Sequence, residues 1–334
     1  MRPPQHSRDA GDFMTDQHAS HAQLDQALKP TAPEVDREQF ERDGFLVVPS
    51  LFSDAEVADM RSRIDETHKE FGPSATDLMS YPLLREIMLD ERILGIFKQL
   101  LGEGCCYFGW SSYRRAQKRQ FNRTFHNDGK GDPSNLRSKN LSDPAKTNYP
   151  VLRFGLYLQD HAHHSGGLEV RVGSHHQFMM STNEIKRLFA REHRLSLRGF
   201  PLGQLYNVPS TGRDLVVFNM RTHHSGHFVR PRMCPRLALP AALENTLEKW
   251  LPESIFLPVE RSRYVIFGTF GIPSQELDCF AKSRTLPKGA ASHWRTTTFD
   301  SPENVQLLET RGISVNTVAL DFFRSKEGMA TQSQ

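Results

Sequence analysis

The second half of the chain most constrains the fold, because short β-prone runs follow one another there between glycine-rich corners. Val151–Leu158 is the longest run, and Gln159–Gly167 behind it is turn-rich. Leu168–Val172 alternates apolar and charged side chains, which marks a half-buried strand. Leu205–Val208 follows, then the turn Thr211–Asp214 and the apolar run Leu215–Phe218. Many short strands behind a helical N-terminal part predict a mainly β protein with flanking helices, built on a jelly-roll or cupin-like double-stranded β-helix.

The first half supplies the helices. Residues 1–33 are rich in His, Asp, Gln, Ala and Pro without apolar periodicity, and read as a disordered leader. Order is expected to begin with a short helix at Asp36–Gly44, then a strand over Phe45–Phe52. Ser53 with Glu56 forms a capping-box signature, and Val57, Met60 and Ile64 fall at helical spacing behind it. A second helical region spans Leu83–Leu101, and Cys106–Tyr113 reads as an aromatic strand. Further on, a helix is expected at Thr182–Glu192 and a strand at about Ile313–Phe322. Residues 34–325 are read as one domain, with 326–334 a flexible tail.

Composition excludes several classes of partner. Of 334 residues, 37% are hydrophobic and 24% charged, with a formal net charge of +3, which favours neither nucleic acid nor a membrane surface. No apolar run is long enough to span a bilayer, and the N-terminus lacks the apolar stretch of a signal peptide. Cys105, Cys106, Cys234 and Cys279 form no C-x-x-C pair and fit free thiols in a reducing compartment, so a cytoplasmic location is expected. Oligomeric state is left open.

Within this frame, His126-Asn127-Asp128 is the segment with chemical potential. Side chains two apart on an extended segment project to the same side, so an imidazole and a carboxylate can approach one metal ion together. A second His would complete a 2-His-1-carboxylate facial triad, the donor set of non-haem Fe(II) oxygenases. The strand Leu215–Phe218 leads into Asn219–Gly226, which contains His223 and His224 far along the chain from the first pair. Alone, H-x-D is a weak signal, and by itself it reads first as a polar loop His beside a turn Asp. Upstream lie Arg114, Arg115, Lys118, Arg119 and Arg123, with no acid before Asp128. Such a run is either a solvated face or a guide for an anionic substrate.

Taken together, Gln39–Val48, His126–Asp128, Gly166–His175 and Asp214–Gly226 resemble, in order, the phytanoyl-CoA dioxygenase-like branch of the Fe(II)/2-oxoglutarate oxygenases. The resemblance implies that His126, Asp128 and His224 bind Fe(II), with His224 chosen over His223 by its distance from Phe218. It implies 2-oxoglutarate and O2 as cosubstrates, ascorbate as the reductant in vitro, and a small-molecule substrate. A carboxylate at position 128 favours hydroxylation or a related oxidation over halogenation. The family clamps 2-oxoglutarate with an Arg at the start of the strand after the distal His. Arg263, opening Tyr264–Phe270, fits that place better than the runner-up Arg236, which leads into a helical stretch; residues of about 231–258 then form a helical insertion. Ser225 stands in for a family Ser, since Gly226 occupies the usual position. His161, His163 and His164 are expected in an exposed turn, and His175 is expected to hold a corner by hydrogen bonds. Two other readings remain: a cupin-type metal enzyme that does not use 2-oxoglutarate, and a non-catalytic jelly-roll binding protein.

Overall fold

Period-two alternation divides the strands between two apolar clusters. On β5 (Val151–Tyr157), Leu152, Phe154 and Leu156 join the larger cluster, while Tyr157 joins the smaller. On β8 (Leu215–Asn219), Leu215 and Val217 go one way, Val216 and Phe218 the other. On β10 (Ser262–Gly271), Tyr264, Ile266 and Phe270 oppose Val265 and Phe267. One face of this sheet therefore lies beneath helices, and the other faces a second sheet. The computed structural model from which this is read describes residues 31–72, 74–117, 126, 128, 151–161, 163–176, 205–226, 230–234, 247, 249–260, 262–285 and 290–332.

The larger sheet runs β1 (Phe45–Val48), β8, β5, β10, with β3 (Cys106–Tyr107) and β4 (Ser112–Gln117) both pairing the far side of β10. β2 (Ser74–Thr76) adds to β4, and β11 (Ser314–Val315) pairs β3 in parallel. The smaller sheet runs β7 (Leu205–Asn207), β6 (Leu168–Arg171), β9 (His224–Gly226). From β5 onward the chain passes from the large sheet to the small and back twice. This winding is a double-stranded β-helix core, so the fold is mainly β with flanking helices, as the strand pattern predicts.

The helical face is built by α1 (Arg37–Asp43), α2 (Asp54–Phe71), α3 (Pro82–Met88), α4 (Glu91–Leu101) and α5 (Gln275–Ser283). The capping box forms as expected: the Ser53 side chain accepts from the Glu56 amide, and the Glu56 side chain from the Ser53 amide, stabilising this end by about 1 kcal/mol. The helical region expected over Leu83–Leu101 is two helices, because the Asp90 carboxylate accepts from the Arg92 and Ile93 amides and starts a new one. The aromatic strand Cys106–Tyr113 is likewise interrupted between β3 and β4.

The C-terminal expectation is corrected. Only Ser314–Val315 pair as a strand. Asn316 then accepts from the Val318 amide and Thr317 bonds Asp321, so local capping outweighs β-propensity and α8 (Val318–Gln332) follows. That helix also covers most of the expected flexible tail. α6 (Ala290–Thr296) and α7 (Pro302–Glu309) precede it. A buried carboxylate, Asp77, accepts from the hydroxyls of Tyr107, Ser80 and Thr297 and thereby fastens this C-terminal region to the N-terminal helices. At the other end, residues 31–33 of the expected leader pack on α4, where the Pro33 carbonyl accepts from Gln99. Residues 1–30 and the helix expected at Thr182–Glu192 lie outside the described residues. Of the expected insertion, residues 247, 249 and 250 are helical, and Glu253–Ile255 form a 3-10 turn.

Candidate metal centre

His224 is held by the sheet. Its strand pairs with β6, and its backbone exchanges two hydrogen bonds with His126, from the His126 amide at 3.0 Å and from its own at 2.8 Å. The Nδ1 lies 2.9 Å from the Thr222 carbonyl, which can only accept, so Nδ1 carries the proton and Nε2 keeps its lone pair. The Thr222 hydroxyl in turn donates to the Gly44 carbonyl at 2.7 Å, which ties the turn before β9 to the end of α1. Burial pushes the His224 pKa down to about 4 against the opposing pull of Asp128, keeping the ring neutral at pH 7.

His126 and Asp128 lie outside regular strands, and their placement depends on tethers. The Nε2 of His126 is 3.9 Å from Asp128 Oδ1, and the Nε2 of His224 is 3.7 Å from Oδ2. One donor atom from each of the three residues falls within 4.8 Å of the others, a spacing that could hold a metal ion. Arg153 donates to Asp128 Oδ2 at 2.7 Å, and Arg284 donates to the Asp128 backbone carbonyl at 2.5 Å. The Arg284 guanidinium lies over the Phe280 ring at 4.4 Å, and its own carbonyl accepts from Trp294 Nε1. The C-terminal helices thus reach the backbone of Asp128. Burial alone would raise the Asp128 pKa, but the charge of Arg153, then those of His224, His126 and Arg284, outweigh it and hold the carboxyl below its ordinary range.

These residues open onto one cavity between the sheets, walled by Arg114, Arg153, Tyr157, Gln159, Leu168, Phe218, Val265, Phe267 and Arg263 among others. Arg263 is 6% exposed, and burial pushes its pKa down to about 10, so it remains cationic at pH 7. Gly166 makes room for it. A Cβ there would lie 2.6 Å from the guanidinium carbon, and φ is +111°, a backbone that only glycine adopts freely. Gly167, with φ +98°, does the same for the buried Arg230, whose guanidinium donates to the carbonyls of Gly166 and His161, both at 3.0 Å. The Gly-Gly corner is therefore packed between two arginines.

The structure brings His126, Asp128, His224 and Arg263 to one cavity. Ser225 does not line the cavity, because alternation on β9 gives that face to His224 and Gly226. Arg236 lies outside the described residues, as do Lys118, Arg119 and Arg123. The basic run is split by β4: Arg114 lines the cavity, while Arg115 pairs with Asp65 at 2.8 Å beside α2. His175 does hold a corner, with Nε2 2.9 Å from the Glu41 carbonyl. His161 corrects the exposed-turn expectation, being buried with Nδ1 3.1 Å from Ser210 Oγ, whereas His163 is exposed. Sequence reasoning missed Arg153 and Arg284. A lone Arg inside the apolar run Val151–Leu158 was a usable signal for the first; no local signal marks the second.

No protein-family model and no curated protein matches the sequence. Solved structures match at low identity. HygX from Streptomyces hygroscopicus, with nickel and 2-oxoglutarate bound, is 19% identical over 71% of this chain and 87% of its own, with TM-score 0.47. EctD from S. alaskensis, with bound Fe, is 16% identical over 72% and 77%, with TM-score 0.48. SnoN, a non-heme alpha ketoglutarate dependent epimerase from nogalamycin biosynthesis, is 15% identical over 70% and 80%, with TM-score 0.45. Likeness at this level does not carry their chemistry to this chain.

Proposed function

We propose that this protein is a non-haem Fe(II)- and 2-oxoglutarate-dependent dioxygenase of the phytanoyl-CoA dioxygenase-like kind, oxidising a small organic molecule. The observation that carries the reading is the convergence of His126, Asp128 and His224 with a buried guanidinium, Arg263, on one cavity. Two imidazoles and one carboxylate are the donor set that suits Fe(II). Arg263 offers a planar fork suited to the distal carboxylate of 2-oxoglutarate, and the Gly166 corner leaves the space that fork occupies.

Iron bound there would supply the activation of dioxygen, coupled to oxidative decarboxylation of 2-oxoglutarate. The chain's own residues bind, orient and exclude water. His224 presents Nε2 because its Nδ1 proton is held by Thr222. Arg153 keeps Asp128 ionised and fixes one of its oxygens. Tyr157, Phe218, Val265 and Phe267 form an apolar wall that holds a substrate dry beside the metal. Asp128 fills the position that a halide would need, so the expected product is oxygenated or desaturated.

The test is succinate formation from 2-oxoglutarate under Fe(II), ascorbate and air, without added substrate. Slow turnover lost in His224→Ala supports the reading. Metal binding without any 2-oxoglutarate dependence would favour a cupin-type metal enzyme instead.

A further inference from the structure

Two cationic poles stand in the cavity, and the proposed cosubstrate accounts for one. Arg263 lies at the pole whose charged and polar neighbours are Tyr157, Arg230 and Glu260. Arg114 lies at the other, near Arg153 and Asp128 on the metal side. The register explains the separation: Arg114 pairs opposite Val265, two residues along β10 from Arg263, and alternation turns it inward while Arg115 turns outward.

Charge balance indicates what this second pole takes. Among the described residues, the cavity wall carries three guanidinium groups, Arg114, Arg153 and Arg263, and one carboxylate, Asp128. Arg153 already holds that carboxylate. Among the described residues Arg114 has no ion-pair partner. A divalent metal and the 2-oxoglutarate dianion would cancel each other, leaving the wall with a positive surplus. Such a surplus along an open cavity wall favours an anion in the bound molecule. Arg114 has substantial accessible area, as the wall of an open cavity does. It is also crowded enough that burial, and then the charge of Arg153, lower its pKa. Val265 lies opposite Arg114, and Phe267 and Phe218 continue the same wall beyond it, a surface that suits an apolar body.

We propose that Arg114 binds an anionic group, a carboxylate or a phosphate, on the organic substrate, whose apolar portion lies along β10 beside the metal. This inference rests on the oxygenase reading and adds the substrate class to it. Arg114 acts as a specificity residue by pairing directly with that anion.

The experiment is calorimetric titration of the full chain loaded with Ni(II) and 2-oxoglutarate, using hexanoate, hexyl phosphate and hexanol as probes. At least one anionic probe should bind tenfold or more tightly than hexanol, and which one does so decides between carboxylate and phosphate. Arg114→Gln should erase the preference, Arg114→Lys should keep part of it, and Arg115→Gln should keep all of it. Equal binding of acids and alcohol, or a preference that survives Arg114→Gln, overturns the inference. Uptake of Ni(II) and 2-oxoglutarate is read in the same samples. Its absence overturns the oxygenase reading and this inference with it, whereas uptake without an anion preference overturns this inference alone.

Discussion

The two halves of the candidate metal centre are held by different means. His224 sits in a paired strand with its side chain 9% exposed, and its ring orientation is set by Thr222. His126 is 36% exposed at its side chain and joins the sheet through one isolated bridge to His224. Asp128 is fixed from outside its own segment, by Arg153 from the large sheet and by Arg284 from the end of α5. A ligand carried by a sheet inherits its direction from the backbone. A ligand carried by a loop must have its direction imposed by side chains from elsewhere.

The largest effect that could break this contrast comes from the ligands themselves. His224→Gln and His126→Gln should each lower Co(II) affinity by 100-fold or more, measured by titration of the visible absorption. Only the buried change should also lower the melting temperature of the metal-free protein, and equal losses of stability would abolish the distinction between the two halves. Arg263→Ala comes next, and should remove most 2-oxoglutarate binding, about the 3–5 kcal/mol typical of breaking a buried pair, with Co(II) uptake little changed. Retained 2-oxoglutarate affinity would move the clamp to another residue.

The tethers should matter less than the ligands. Arg153→Ala leaves Asp128 without its nearest cation, so its carboxyl pKa should rise and Co(II) affinity should fall roughly 10- to 100-fold. Arg284→Ala should cost about tenfold, at the lower end of the range for groups that orient a ligand, with Arg284→Lys recovering part. Unchanged Co(II) affinity in Arg284→Ala would mean that the C-terminal helices do not brace the loop.

The smallest effect is on stability against pH, and it belongs to the rigid part. Burial pushes the pKa values of His175 and His293 down to about 4. The unfolded chain, with ordinary histidines near 6.5, therefore takes up protons first as pH falls. The stability that these neutral rings contribute is complete above about pH 7 and is lost progressively towards pH 4. Calorimetry of the metal-free protein at pH 7, 6 and 5 should show a falling melting temperature, and replacing His175 with Gln should flatten that slope.

Much of the architecture was legible because local chemistry specifies it. The Ser53–Glu56 box, the helix ending at Gly44 and the alternation in Leu215–Phe218 each determine their own element. Where two local signals competed, the reading failed. Asp90 restarted a helix inside an apolar periodicity that looked continuous, and Asn316 with Thr317 turned a β-prone stretch into α8. The H-x-D spacing and the position of His224 shortly after β8 were visible in the chain, and so was Arg263 at the head of β10.

Sequence by itself therefore determined which residues can offer metal-ligating atoms and where the main strands run, since residue type and a two-residue period are local properties. It could not say which member of the basic run faces the cavity, because that depends on which side of β4 the helices cover. Nor could it show that Arg153 and Arg284 converge on Asp128 from positions 25 and 156 residues away. Contacts at such separations are set by how the sheets and helices pack around a common core, and only the tertiary structure decides them.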